Sequence, residues 1–108
     1  MGKIRAKAPN HLSPKSRKLW TELTREWNFH PLQREILQVG LENLDLARVC
    51  MARIYKEGLV VQSGKIVKPH PLLKVLKESK VIFLRSMSQL KFQNEDEEKL
   101  KKEVDNFE

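Results

Sequence analysis

Only one cysteine, Cys50, occurs in the 108 residues, so no internal disulfide can form. A disulfide-stapled scaffold is excluded, and the count fits a reducing compartment. No stretch approaches the roughly 20 apolar residues that a membrane span requires, so no membrane association is expected. The basic start, Met1-Gly2-Lys3-Ile4-Arg5-Ala6-Lys7, leads into no apolar h-region, and secretion is not indicated. Aromatic residues make up only 6%, and Trp20, Trp27, Phe83 and Phe92 fall on predicted apolar faces. They read as core rather than as base-stacking platforms. No RNP-type aromatic strand, GXXG loop or zinc-finger pattern is present.

Catalytic patterns are missing too. His11, His30 and His70 lie far apart and lack cysteine partners, so no zinc spacing exists and no metal is expected. Between Gly58 and Gly64 five residues intervene where a phosphate loop has four, and Ile66 stands where Ser or Thr is required. No Gly-x-Ser-x-Gly elbow is found. Glu22 and Glu26 share a helix face, as do Glu42 and Asp45, and they read as surface ion-pairing groups rather than metal or acid/base sites. The chain reads as a non-enzyme without cofactor.

What is present is charge of one sign. Lys and Arg total 21 against 14 Asp and Glu, a net +7. Residues 1–27 carry seven basic and two acidic side chains, and residues 28–57 balance. Residues 58–91 carry seven basic and one acidic, while residues 92–108 reverse to three basic and seven acidic. Two basic segments thus bracket a neutral middle, which predicts attraction to a polyanion through phosphate contacts without base readout.

Apolar residues reach 40%, enough for one folded domain, though a globule this small buries only about two-thirds of its unfolded surface. Ser13-Pro14 predicts a helix start, with Leu19, Trp20, Leu23 and Trp27 on its apolar face and Asn28-Phe29-His30 as its break. A long helix is predicted from Pro31 to Glu57, with apolar positions spread so widely that more than one partner must cover them. Gly40 in its middle reads as incidental, with a close contact to another helix as the alternative, and Cys50 as inert core. Gly58 stops the helix. Leu59 to Gln62 and Lys65 to Lys68 predict a β-hairpin with Ser63-Gly64 as its turn. Such a hairpin is marginal alone, so it must pack on the helices, pair with a neighbouring subunit or meet a ligand. A third helix is predicted over Pro71–Lys91, with Leu72, Leu76, Phe83, Met87 and Leu90 on its apolar stripe. A short C-terminal helix capped by Asn94 carries Leu100, Val104 and Phe107. The expected organisation is a flexible basic arm (1–12), a helical core (13–92) with the hairpin at 59–68, and an acidic segment (93–108).

The order of these elements, with Leu12-Ser13-Pro14, Gly58-Leu59-Val60-Val61 and above all Lys68-Pro69-His70-Pro71, resembles the small terminase subunits of tailed phages over about residues 12–92. The resemblance implies a mostly helical, ring-forming homo-oligomer acting in the host cell cytoplasm. It would bind double-stranded viral DNA at the packaging start and deliver it to a large subunit that carries ATPase and nuclease. The residues expected to face DNA are Lys3, Arg5, Lys7, Lys15, Arg17 and Lys18, then Lys65, Lys68, Lys74, Lys77 and Lys80. Leu37, Leu41 and Leu44 are expected to pack helices within and between subunits, and His70 to fix the corner between hairpin and helix. The acidic end is either a contact for the large subunit or a solubilising tail. The alternatives are a dimeric helix-turn-helix regulator, for which Asn28-Phe29-His30 has the right turn length, and a structural oligomer whose basic face meets an acidic protein.

Overall fold

A computed structural model describes residues 7–90. Five elements follow one another: α1 (Pro14–Glu26), α2 (Pro31–Glu57), β1 (Val60–Ser63), β2 (Ile66–Pro69) and α3 (Leu72–Leu90). The mostly helical architecture and the single hairpin agree with the sequence reading. The C-terminal helix expected after Asn94 lies outside the described residues, as do Lys3 and Arg5.

Each helix start has a chemical cause. Pro14 occupies the first turn of α1, and the Ser13 hydroxyl oxygen accepts from the Ser16 N–H at 3.2 Å. The starts of α2 and α3 repeat one tripeptide, His-Pro-Leu. His30 Nδ1 accepts from the Leu32 N–H at 3.2 Å, and His70 Nδ1 accepts from the Leu72 N–H at 3.1 Å. A neutral imidazole carries one acceptor nitrogen, which here does the work usually given to Ser or Asp. Gln33 completes the α2 start by accepting from the His30 N–H at 2.7 Å.

At 27 residues α2 is the spine, about 40 Å long. α3 runs antiparallel along it, with Ser86 against Gly40 at one end and His70 bonded to Glu57 at the other. α1 is tied to its middle through Asp45. The core holds Leu12, Trp20, Phe29, Leu37, Leu41 and Leu90, with Ala8, Leu44, Phe83 and Met87 packed around them. Leu37 and Leu41 are 0% and 1% exposed. Their side chains are consumed by the chain's own core and leave no surface for a second subunit. Leu12 is buried as well, so the described part of the basic arm, from Lys7, lies against the core instead of standing free.

Gly40 is not incidental. A Cβ there would stand 2.9 Å from the Ser86 Cβ and 3.0 Å from the Met87 Cε, inside contact distance. Ala47 and Ser79, each seven residues from this pair along its own helix, are also buried. Small side chains on both helices let their backbones approach closely. Ser79 is accommodated because its hydroxyl donates to the carbonyls of Val75 and Leu76 within α3, at 2.9 and 3.0 Å.

The hairpin pairs Val60 with Pro69 and Ser63 with Ile66, so its two-residue turn is Gly64-Lys65, one position later than Ser63-Gly64. Gly64 occupies the first turn position with φ +65°, where a glycine is unstrained and Ser63 can remain in the ladder. Nearly all of the hairpin is exposed, so it does not pack on the helices. The molecule is accordingly elongated, 65 × 35 × 19 Å.

Candidate nucleic-acid interface

Lys7, Lys15, Arg17, Lys18, Lys65, Lys68, Lys74, Lys77 and Lys80 are all exposed. None forms an ion pair with another described residue. They do not converge on one patch of a single chain. Lys15, Arg17 and Lys18 sit at the start of α1, beside Asp45. Lys65 and Lys68 sit on the hairpin beyond Gly58, about 20 Å further along the α2 axis. Lys74 and Lys77 continue from the hairpin onto α3, where they join Arg85, a cation outside the set expected from the sequence. Its position four turns from the hairpin, on the same helix face as Lys74, is the signal by which the sequence could reveal it.

Three cations near an N-terminus oppose the α1 macrodipole, and no acidic residue occupies its first turn. Asp45 compensates from α2. Its carboxylate accepts from the Ser13 N–H at 2.8 Å, the Ser13 hydroxyl at 2.6 Å and the Ser16 hydroxyl at 2.6 Å. Arg48 lies 3.3 Å away and also donates to the Ser16 oxygen. Asp45 is therefore an inter-helix clasp as well as the ion-pair partner of Arg48, while Glu42 meets His11 at 2.6 Å. Partial burial pushes the Asp45 carboxyl up, but the Ser13 and Ser16 bonds and the Arg48 charge outweigh it and hold it below the usual value. A carboxyl depressed on folding contributes stability above its unfolded value near pH 4, lost as the pH falls through the folded value. Asp45→Ala is expected to destabilise the fold by about 2–3 kcal/mol at pH 7, read by urea unfolding. The loss shrinks below about pH 4; a deficit unchanged at pH 3 contradicts the clasp.

The hairpin corner is built on His70, which is 4% exposed. Because Nδ1 accepts from Leu72, Nε2 carries the proton and donates to Glu57 Oε1 at 3.0 Å. Arg53 Nε donates to the other oxygen at 3.0 Å. The His70 bond, then the Arg53 bond, hold the Glu57 carboxyl below its ordinary value. The His70 N–H donates to the Leu59 carbonyl at 2.8 Å, closing the base of the hairpin. His70→Ala is expected to cost about 1–2 kcal/mol and to speed amide exchange at Leu72, with His70→Asn recovering the cap. Equal exchange in all three proteins would remove His70 from the corner.

On the outer face of α3, Lys74, Lys77, Glu78, Val81, Ile82 and Arg85 line an open groove of about 420 Å³. Cationic tips thus surround aliphatic side chains. Elsewhere apolar surface is left uncovered on α2 and on the hairpin. Leu32, Val39 and Leu46, 66%, 44% and 43% exposed, repeat every seven residues along α2. Val60 and Val67 share one side of the hairpin, since Val67 pairs with Gln62, two residues from Val60. Among the described residues no group of three His, Cys, Asp or Glu could hold a metal ion. No helix among them is long and apolar enough to cross a membrane.

A family model described as phage terminase, small subunit, matches residues 14–106, so the likeness extends beyond residue 92 into the acidic segment. Neither the curated proteins nor the solved structures give a match. The chain belongs to the phage terminase small-subunit family.

Proposed function

We propose that this protein is a non-catalytic, ring-forming subunit that holds double-stranded viral DNA at the start of packaging and presents it to the large terminase subunit. The observation that carries this reading is the set of exposed cations that form no ion pair with another described residue, on α1, on the hairpin and on α3. Within one chain they are too dispersed for tight binding. Repeated around a closed assembly, each weak cluster gains by avidity. Lys3, Arg5 and Lys7 extend the set. The acidic segment 93–108 serves the large subunit.

Assembly in this reading uses surface that the chain leaves open. The seven-residue repeat Leu32, Val39, Leu46 supports helix packing between copies. The hairpin's uncovered valines and unpaired strand edges support contact with a neighbour. Leu44, only half-buried, is the one member of the trio Leu37, Leu41 and Leu44 that retains surface for such packing. Native mass measurement with and without duplex DNA tests the proposal. Masses at a single multiple of 12.7 kDa above two, gaining duplex mass when DNA is added, are expected. A dimer favours the regulator, and a monomer under all conditions removes the ring.

A further inference from the structure

The α3 groove is poorly explained by phosphate contact alone, because Val81, Ile82 and Leu84 are exposed within or beside it and Glu78 lies among its cations. A ligand that fits both features is an acidic amphipathic segment. The chain contains one. Residues 95–108 hold seven acidic and three basic side chains, and Leu100, Val104 and Phe107 recur at spacings of four and three. We propose that this segment folds back onto its own α3 groove and occupies it in competition with DNA, an inference that rests on the DNA-facing role given to α3.

Length and register support the chain's own segment as the occupant. α3 is described to Leu90, and four residues, 91–94, separate it in sequence from the acidic segment, enough to let a following segment return along the helix. As a helix, fourteen residues span about 21 Å, the axial length of α3 from Leu90 back to Lys77. With Glu95 level with Leu90, Val104 falls level with Val81, and Leu100 falls beside Leu84 and Arg85. Phe107 then meets the stems of Lys77 and Glu78. Apolar positions meet apolar positions, and a segment of seven acidic and three basic side chains lies along a groove edged by Lys74, Lys77 and Arg85. DNA that takes the same lysines displaces the segment and frees it for the large subunit.

Thiol cross-linking in the full chain tests this. Val81→Cys with Val104→Cys is treated with a short bis-maleimide at low salt; buried Cys50 does not compete for the reagent. Val49→Cys with Val104→Cys, on an exposed position of α2 away from the groove, is the reference. The 81–104 pair is expected to link within one chain at least about tenfold faster than the reference, as two sites held together do. Excess duplex DNA should bring the two rates together. Equal rates without DNA overturn the docking, and so does a product joining two chains, which would assign the segment to another copy. Fast intramolecular linking that DNA does not slow keeps the docking but overturns the competition. DNA binding undiminished when the α3 lysines are reversed overturns the DNA-facing role independently of any cross-link.

Discussion

Reversing Lys74, Lys77 and Lys80 to glutamate is expected to weaken binding of duplex DNA by about 10²–10³-fold at 0.1 M salt. The size follows from counterion release. Each phosphate neutralised by a lysine adds a slope of about 0.9 in log affinity against log salt, which is roughly eightfold at 0.1 M. Removing three such lysine–phosphate pairs weakens binding a few hundredfold and flattens the salt dependence by about 2.7. All three side chains are exposed and form no ion pair with a described residue, so the fold has little reason to respond. Fluorescence anisotropy over a salt series reads both quantities, with far-UV circular dichroism as the check on folding. Affinity and slope equal to those of the unaltered protein would take α3 out of the DNA interface and leave α1 and the hairpin to carry it.

The second large effect concerns the frame. Gly40→Leu is expected to destabilise the protein by about 3 kcal/mol or more, because the site cannot take even a first side-chain atom. The obstacle is the Cβ of Ser86, part of a helix rather than the loose end of a long side chain, so relief requires α3 to move. Gly40→Ala is the sharper experiment. It gains nearly 1 kcal/mol in helix propensity and still loses about 1–3 kcal/mol to crowding, for a net loss. Ser86→Gly in the same chain removes the obstructing atom and should recover part of the deficit as a coupling between the two sites. Urea denaturation of the four proteins measures this. A Gly40→Ala variant more stable than the parent would mean that the helices do not touch at this point.

Helix boundaries were legible because they are marked by residues with fixed backbone consequences. Ser13-Pro14, His30-Pro31, Gly58 and His70-Pro71 each act within a few residues of themselves, and local rules suffice. What was not legible depends on partners distant in sequence. Asp45 reads as a surface ion-pairing group, which its contact with Arg48 matches, but its clasp on α1 is hidden because those partners lie 29 and 32 residues earlier. Leu37 and Leu41 looked available to a neighbour because periodicity identifies an apolar face without saying which helix covers it. Ser79 and Ser86 fall on the inward stripe of α3, yet their type argued for solvent; only the proximity of Gly40 gives small residues a purpose there. The turn was misplaced by one residue since both Ser63-Gly64 and Gly64-Lys65 put a glycine in a two-residue loop. Of the candidate interface, the number and sign of the charges are readable in the sequence and their distribution in space is not, because it follows from how α1 and α3 sit on α2.

The short passage from α2 through the hairpin to α3 also sets the order of events in time. Residues 58–71 are all that separates the two main helices. Connections of this size close in about 10–100 ns, and helical domains with such local contacts fold in microseconds to milliseconds. Two protein molecules at about 1 μM meet productively only some 0.1–10 times per second. Any partner, another copy included, thus encounters a subunit whose spine, corner and projecting strands are already in place. Growth of an assembly would be second order in protein and insensitive to folding mutations that leave the native state populated, whereas changes on the open faces would alter its rate directly.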